Sequence, residues 1–303
     1  MPKHTESRAI MVCISDIHVG SKLGLCPPQA TVDLGGGYIP NVWQKWMWEV
    51  WGKAWDWVDE YIANAEKESK NLYKHFSLVG DAVDIDIHGR SGQIWARSQH
   101  IVKNCTCEIL DPIAQKFDTV QFIKGTEAHN GLNNDTEDMI ADDFDNHLPD
   151  PETGEPAWWS SDIELGGVKF NLSHHGRMGQ KPWTKKNPIE SLRGEIIMHR
   201  FNARDEFPDV AVRGHFHQFQ HTDPNQRLCV VQLPGWQLKT AFVNRIDPAD
   251  TRSQVGLVLF DCQGGTFTMY AKTYTQPRGD TWTPPTTESK SPKKLFQVLR
   301  LGN

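Results

Sequence analysis

The stretch AIMVCISDIHVG, residues 9–20, decides the fold that the sequence predicts. Its first seven residues include three from the Ile/Val group and form an apolar run, which predicts a fully buried β-strand. Asp16 and His18 follow this run directly. Because ligands bind beyond the carboxyl ends of the strands in a parallel α/β sheet, we expect a functional site among the residues that follow each predicted strand.

Four further apolar runs predict strands, and helical patterns lie between the predicted strands. The strand patterns are HFSLVG (75–80), TVQFIKG (119–125), VKFNLS (168–173) and DVAVRG (209–214), and the helical patterns cover about 41–68, 97–117, 135–147 and 188–206. This alternation is typical of parallel strands with helices on the faces of the sheet. After residue 226, three strand patterns follow without an intervening helix: RLCVVQL, QVGLVLF and TFTMYAKTY. They predict an antiparallel sheet.

We therefore predict a single α/β sandwich domain over residues 1–275. The segment 276–303 is rich in Pro, Thr and Lys and is predicted to form a loose C-terminal tail. No apolar run approaches the ~20 residues that span a bilayer, and residues 1–10 lack the apolar core of a secretory signal. The six cysteines are scattered without a C-x-x-C pair. This pattern predicts reduced thiols, a cytoplasmic location and no membrane partner.

The formal net charge of the chain is −6. Non-specific binding to nucleic acid depends on neutralisation of phosphates by Lys and Arg, so this charge argues against a protein that coats nucleic acid. It does not exclude a nuclease, because bound metal ions supply positive charge locally.

All five predicted strands of the α/β part end in carboxylate or imidazole side chains. In chain order these are Asp16 and His18, then Asp81, Asp84 and Asp86, then Glu127 and His129, then His174 and His175, and finally His215 and His217. A single His-x-His is more often structural than not, but five such ends in succession predict a shared site. Imidazole together with carboxylate suits Mn, Fe, Zn or Ni better than Mg or Ca. In Asp-x-His and His-x-His, the period of two in an extended chain is expected to send both side chains to one side.

The motifs DIH (16–18), GDAVD (80–84), GTEAH (125–129), SHHG (173–176) and GHFH (214–217) occur in this order, and LPGW (233–236) follows them. In these motifs the sequence resembles the calcineurin-like metallophosphoesterases, over roughly residues 8–275. The family pattern is D-x-H, G-D-x-x-D, G-N-H-D/E, a strand-terminal His and G-H-x-H. The resemblance implies a two-sheet αββα sandwich with helices on the outer faces. The third motif is most similar to phage-type members grouped with DNA-repair exonucleases, and a phage-encoded protein would act in the host cytoplasm.

The resemblance also implies a site for two divalent metal ions, with manganese favoured. One ion would be held by Asp16, His18 and His217, with Asp81 as the bridge to the second. The second ion would be held by Glu127, His174 and His215. The third motif departs from the family pattern, since Thr126 stands where the ligand Asn is expected. We expect Glu127 to take over the ligand role; the alternative is that Glu127 faces away and the second metal site is weak.

In the family, a His of the third motif is thought to protonate the leaving group, and here His129 takes this role although it comes two positions late. Asp84 matches the second acid of the G-D-x-x-D motif. The Arg that often follows that acid is missing, because Ile85 stands there. Contacts to the phosphate are therefore expected from Arg90, Arg177 or Lys181, and His175 is a further candidate.

The implied activity is hydrolysis of a phosphate ester by attack of a hydroxide that bridges the two metals. The substrate is expected to be a phosphate ester and could be DNA or a nucleotide, with a nucleic-acid phosphodiester favoured by the phage-type third motif. The alternative, from a different class, is a binding or scaffold protein that keeps the fold with weak or no catalysis. A metal analysis and a generic diester assay would separate the two.

The segment 43–57 holds six of the twelve tryptophans and lies in the predicted helix 41–68. Its apolar arc is wider than the ~100° that a surface helix needs. One interpretation is a helix wedged between the sheet and a covering segment. The other is a wall of the substrate pocket or a subunit contact, so that the protein could form an oligomer through residues 41–62.

Overall fold

The structure, a computed structural model, describes residues 7–85, 92–131, 135–177, 187–246 and 252–278. These residues form twelve strands and six helices. The strands are β1 (Ala9–Ile14), β2 (Ala30–Thr31), β3 (Gly37–Tyr38), β4 (Tyr73–Val79), β5 (Thr119–Ile123), β6 (Ser160–Leu165), β7 (Val168–Ser173), β8 (Val210–Arg213), β9 (Gln220–His221), β10 (Cys229–Gln232), β11 (Gln254–Gln263) and β12 (Thr266–Thr275). The helices are α1 (Val42–Glu68), α2 (Gln99–Ala114), α3 (Glu127–Asn130), α4 (Asp135–Ala141), α5 (Asn187–Ala203) and α6 (Ala241–Ile246).

Ten of these strands form two five-stranded sheets, and β2 and β3 form a separate hairpin. The strand order in the first sheet is β12-β11-β1-β4-β5, in which β1, β4 and β5 are parallel and β11 and β12 are antiparallel to their neighbours. The order in the second sheet is β6-β7-β8-β10-β9, in which β7, β8 and β10 are parallel and the two edge strands are antiparallel.

The prediction that the strands after residue 226 form an antiparallel sheet of their own was wrong. β10 lies in the second sheet, parallel to β8, whereas β11 and β12 complete the first sheet. The two-residue strand β9 explains the parallel pair, because it reverses the chain between β8 and β10 so that both run the same way without a helix. β11 then pairs antiparallel with β1, along the edge of β1 that β4 leaves open.

The two sheets are stacked face to face, and helices cover both outer faces. Phe170 of β7 and Phe260 of β11 meet between the sheets with ring centroids 5.3 Å apart, in the buried apolar layer that joins the two sheets. Residues of α1 and α2 pack on the outer face of the first sheet, and Ile189 of α5 packs on the outer face of the second. This is the αββα sandwich that the resemblance implies.

The tryptophan-rich helix α1 packs one face on the first sheet. Asn41 caps its N-terminus, since its side chain accepts hydrogen bonds from the backbone N–H groups of Trp43 and Gln44. Trp51 and Trp55 are 5% exposed, and the ring of Trp51 lies edge-on to that of Trp236 at 4.7 Å. The buried face therefore belongs to the core, which confirms the sheet side of the first interpretation; a segment that covers the other side of the helix stays a prediction. An oligomer through residues 41–62 stays a prediction.

Among the described residues, no helix is long and apolar enough to cross a membrane. The predicted tail 276–303 lies outside the described residues from position 279 onward, so the boundary of the domain at 275 stays a prediction.

The parallel strands of both sheets end at one rim of the sandwich. After β8, the N–H of Gly214 donates to the carbonyl of His174 at 2.9 Å, and the N–H of His215 donates to Asp16 Oδ2 at 3.0 Å. The end of β1 in the first sheet and the ends of β7 and β8 in the second are therefore joined directly. Residues that follow different strands are thereby brought to the same place.

Candidate metal centre

Three groups of carboxylate and imidazole side chains lie at this rim among the described residues. One consists of His18, Asp84 and His129, and the other two, called here the two clusters, share no residue. The two clusters are formed by Asp16, His18 and His217 and by Asp81, His174 and His215. Within each cluster, the atoms that could bind a cation lie within 4.8 Å of one another. In the first cluster, His217 Nε2 is 3.1 Å and His18 Nε2 is 3.7 Å from Asp16 Oδ1. The arrangement gives each cluster a mixed nitrogen and oxygen donor set that suits divalent transition metals.

The carboxylate of Asp81 faces both clusters. Its Oδ2 lies 3.1 Å from His174 Nε2 and 3.8 Å from His18 Nε2. Its Oδ1 accepts hydrogen bonds from the N–H of Thr126 at 2.6 Å and from Asn130 Nδ2 at 2.9 Å. These bonds fix the plane of the carboxylate and leave Oδ2 directed at imidazoles of both clusters, as a bridging ligand requires.

The backbone is strained where it presents these side chains. Seven described residues other than glycine have a positive φ, and five of them belong to the two clusters: Asp16, His18, Asp81, His215 and His217, with φ between 45° and 76°. Positive φ is uncommon for such residues and collects at functional sites, where the surrounding structure maintains it. The expectation that Asp-x-His and His-x-His use the period of an extended chain was therefore wrong. Left-handed backbone after the strands turns these side chains toward one another.

Gly80 is required by this close packing. Its φ is 79°, and a Cβ atom at this position would lie 2.2 Å from Nδ1 of His174. That nitrogen is bonded to the carbonyl of Val79 at 2.9 Å. The bond requires a proton on Nδ1 and so directs Nε2 of His174 at the cluster, which is how metal-binding histidines are commonly oriented.

Several buried polar atoms at the clusters have no well-aligned hydrogen bond within the described part of the chain. They are Asp16 Oδ1, both ring nitrogens of His18, His174 Nε2 and Asn130 Oδ1. Buried polar groups in native proteins nearly always have a partner, because leaving one without costs ~1–3 kcal/mol. Cations at the two clusters could satisfy Asp16 Oδ1, His174 Nε2 and one ring nitrogen of His18 together, so the residues present fit a pair of divalent metal ions.

Burial lowers the pKa values of two of the histidines, whereas a neighbouring carboxylate raises that of a third. Burial lowers the pKa of His18, and burial followed by the charge of His174 lowers the pKa of His215 to about 4, so both rings are neutral and able to bind a metal. For His174, burial opposes the charged form, but the carboxylate of Asp81 outweighs it and raises the pKa to about 10. A cation that binds here must therefore displace a proton from His174.

The third motif differs from its prediction. Glu127 is the first residue of α3 and is exposed, and it belongs to neither cluster. Asn130, at the end of the same short helix, is fully buried beside Asp81, with its Oδ1 unpartnered. Hydrogen bonds from Asn130 Nδ2 to Asp81 Oδ1 and to the carbonyl of Thr126 hold this side chain inward. The only signal in the sequence was an Asn beside a His in the motif, with their order reversed relative to the family pattern.

His129 pairs with Asp84 next to the first cluster. Its Nδ1 lies 3.0 Å from Asp84 Oδ1, and its ring meets that of His18 edge-on at 4.7 Å. Burial disfavours the charged ring, but the bond to Asp84 and the nearby carboxylates raise the pKa of His129 to about 9. The other oxygen of Asp84 accepts a hydrogen bond from Gln237 Nε2 at 3.2 Å. Gln237 follows the LPGW segment and was not predicted from the sequence.

The described residues predicted to contact the phosphate belong to neither cluster. His175 is exposed beside the second cluster, with its ring 5.0 Å from that of His215. Arg177 is exposed and forms an ion pair with Glu195 of α5, so its charge is already matched. Arg90 and Lys181 lie outside the described residues, as does Asp86.

A comparison with protein-family models gives no match, and no curated protein is significantly similar to the chain. Among solved structures, Vacuolar Protein Sorting 29 from Cryptosporidium parvum is 12% identical over 89% of this chain and 100% of its own, with a TM-score of 0.35. A conserved uncharacterized protein from Streptococcus pneumoniae, described as a predicted phosphoesterase, is 8% identical over 88% and 99%, with a TM-score of 0.32. The 5'-nucleotidase from Candida albicans is 10% identical over 88% of this chain and 51% of its own, with a TM-score of 0.38. At these values the likeness assigns neither a family nor an activity.

Proposed function

We propose that this protein is a metal-dependent phosphoesterase that uses two divalent cations. The observation that carries the proposal is the pair of buried carboxylate and imidazole clusters with the Asp81 carboxylate facing both. Strained backbone at five residues of these clusters and unpartnered donor atoms support it. Neither feature stabilises the fold by itself, so both favour a site selected for binding.

In this proposal one cation is held by Asp16, His18 and His217, and the second by His174, His215 and Asn130, with Asp81 between them. Asn130 replaces Glu127 in the ligand set because its Oδ1 is buried and unpartnered, whereas Glu127 is exposed. When bound, a pair of divalent cations lowers the pKa of water toward ~7 and neutralises charge that develops on the phosphate oxygens. The nitrogen-rich donor set favours Mn, Fe, Zn or Ni, and manganese is our choice.

His129 is the general acid of the proposed reaction. Its bond to Asp84 through Nδ1 leaves Nε2 as the nitrogen that gives a proton to the leaving oxygen. In the metal-free protein burial opposes the charged ring, but the bond to Asp84 raises the pKa of His129 and so favours the protonated form that an acid needs. Asp84 holds the ring in place, and Gln237 in turn fixes Asp84.

The substrate that we propose is a phosphate ester, and a nucleic-acid phosphodiester is favoured by the resemblance of the third motif to phage-type members. Arg177 is paired with Glu195. Among the described residues predicted to contact the phosphate, His175 therefore lies nearest to the clusters. A panel of p-nitrophenyl monoester, p-nitrophenyl diester, single-stranded DNA and double-stranded DNA, each with Mn, Ni, Zn and Mg in turn, identifies the substrate class.

The proposed activity is tested with bis(p-nitrophenyl) phosphate and the manganese-loaded protein. Asp81→Ala and His217→Ala should each abolish hydrolysis, because each removes a ligand. His147→Ala is the matched control, since His147 bonds the carbonyl of Phe144 away from both clusters and its loss should leave hydrolysis unchanged. Hydrolysis that persists in Asp81→Ala contradicts the proposal. Two bound ions without turnover of any ester favour the alternative, a scaffold that keeps its metals.

The choice between Asn130 and Glu127 has a separate test. Asn130→Ala removes the unpartnered Oδ1 and the bond to Asp81, so it should weaken manganese binding and slow hydrolysis. Glu127→Ala removes an exposed carboxylate and should change neither. The reverse ranking of the two variants would restore Glu127 as the ligand.

A further inference from the structure

Glu137 is a buried carboxylate that belongs to neither metal cluster. It lies in the first turn of α4 and is 1% exposed. Its Oε2 accepts a hydrogen bond from the N–H of Gly125 at 2.5 Å, and its Oε1 accepts one from the N–H of Ala82 at 3.2 Å. Burial of a carboxylate is expensive unless it is hydrogen-bonded, and here both bonds go to backbone groups of the loops at the rim.

These two bonds join loops that the sheet no longer joins. The ladder between β4 and β5 has its last pair at Val79 and Ile123, and both chains then leave the sheet. Ala82 directly follows the bridging residue Asp81, and Gly125 lies in the loop that leads to α3. Glu137 therefore fastens the two loops to each other beyond the end of the ladder.

The residue before Glu137 holds the other end of the same segment. The hydroxyl of Thr136 donates to the carbonyl of Asn130 at 2.6 Å, and this bond is buried. Successive residues of α4 thus fix residues 125–130 at both ends. Between these two fixed points lie the N–H of Thr126 and the side chain of Asn130, which hold the carboxylate of Asp81.

We propose that Glu137 is a positioning residue that sets the geometry of the second cation site by fixing the loop of Asp81 against the segment that carries Asn130. The inference rests on the proposed function, because it requires that Asp81 and Asn130 bind a cation. Glu137 itself touches neither the cation nor the substrate. Its loss should weaken the second cation site most, because that site uses both Asp81 and Asn130, and the first site less, because it shares only Asp81.

The test is calorimetric titration of the metal-free full chain with Mn²⁺, comparing Glu137→Gln with wild type. The amide nitrogen of Gln cannot accept a hydrogen bond from an N–H group, so one of the two hydrogen bonds to Gly125 and Ala82 is lost with almost no change in side-chain volume. Wild type should bind two ions, and in Glu137→Gln one of the two steps should weaken ~10–100-fold, the range observed when a partner behind a metal ligand is lost. Glu108→Gln is the matched control, with the same chemical change on an exposed residue of α2 that belongs to neither cluster, and should bind as wild type does.

A merely structural role would lower the melting temperature of the metal-free protein and weaken both steps equally or neither, so a clearly larger loss in one step than in the other is the decisive readout. If Glu137→Gln does not fold, Thr136→Val removes the bond to Asn130 at nearly constant volume and should weaken the same step. Two steps of wild-type affinity in the folded variant overturn the positioning role and leave the proposed function standing. A wild-type protein that binds no Mn²⁺ overturns both.

Discussion

Gly125 provides a sharp test of how closely the loops at the rim must approach. A Cβ atom at this position would lie 2.2 Å from the backbone nitrogen of Asp81, 2.3 Å from its Oδ1 and 2.8 Å from Nδ2 of Asn130. Real Cβ atoms essentially never come within 3.0 Å of such neighbours, so in Gly125→Ala the two loops must separate by about 0.8 Å or more. The hydrogen bonds that orient Asp81 depend on this approach.

The expected losses of rate and stability follow from that displacement of the two loops. A misplacement of ~1 Å at a catalytic site costs on the order of 100-fold in rate, and overpacking of a buried site costs about 1–3 kcal/mol of stability. We therefore expect Gly125→Ala to fold with a lower melting temperature, and to hydrolyse bis(p-nitrophenyl) phosphate with a kcat lower by about 100-fold. The assay is steady-state hydrolysis at saturating Mn²⁺, with a thermal melt of the same preparation.

Gly52→Ala is the matched control, because Gly52 lies in α1 and a Cβ there meets nothing within 4 Å. This change should leave kcat unaltered and stabilise the helix by about 0.5–1 kcal/mol. Wild-type kcat in Gly125→Ala would refute the reasoning, since it would mean that contact between the loops of Asp81 and Asn130 is not needed for the reaction.

Three further outcomes follow from the structure. His129→Ala should slow hydrolysis of an alkyl phosphate ester by ~100-fold or more. Hydrolysis of a p-nitrophenyl ester should slow far less, because p-nitrophenolate leaves without a proton. Equal losses of rate across a series of leaving groups would show that His129 is not the acid. Phe170→Ala should lower the free energy of unfolding in urea by about 3–5 kcal/mol, because this ring is buried between the sheets, and a loss under ~1 kcal/mol would contradict that packing. In the metal-free protein, the pKa of His174 is raised to about 10 because the carboxylate of Asp81 outweighs burial, so this stabilisation is complete below about pH 6.5 and is lost as the pH rises toward 10. Its melting temperature should fall across that window, and a rise would show that the pair does not stabilise the fold.

Much of the centre could be predicted from the sequence because each part of it is local. DIH and GHFH place a carboxylate and three imidazoles directly after predicted strands, and parallel strands bring their carboxyl ends to one edge. That rule needs no knowledge of the loops. The rule accounts for the strand ends within each sheet. The stacking of the two sheets, which brings the end of β1 beside the ends of β7 and β8, then places Asp16 and His18 with His217, and Asp81 with His174 and His215.

The sequence could not show in the same way which residue of the third motif points toward the clusters. Whether Glu127 or Asn130 points inward depends on one turn of helix, α3, which is too short to show a periodic pattern. Propensity and spacing do not fix such a segment, because its contacts with α4 do. The bond from Thr136 to the carbonyl of Asn130 is one of these contacts.

Sequence patterns also could not predict the burial of Glu137 or the positive φ of the cluster residues. An acidic residue in the first turn of a helix usually faces solvent and complements the helix dipole, and nothing in the sequence marks Glu137 as buried. Positive φ at Asp16 and His217 is maintained by contacts between segments about two hundred residues apart, such as the bond from His215 N–H to Asp16 Oδ2.

The central claim is that side chains from both sheets hold two cations at one rim of the sandwich. Anomalous scattering from crystals grown with Mn²⁺ and measured near the manganese edge tests it most directly. The account predicts two peaks, one beside Asp16, His18 and His217 and one beside His174, His215 and Asn130, with Asp81 between them and the peaks ~3.5–4 Å apart. A map without a peak at these residues, or with a single ion that Asp81 does not contact, would contradict it.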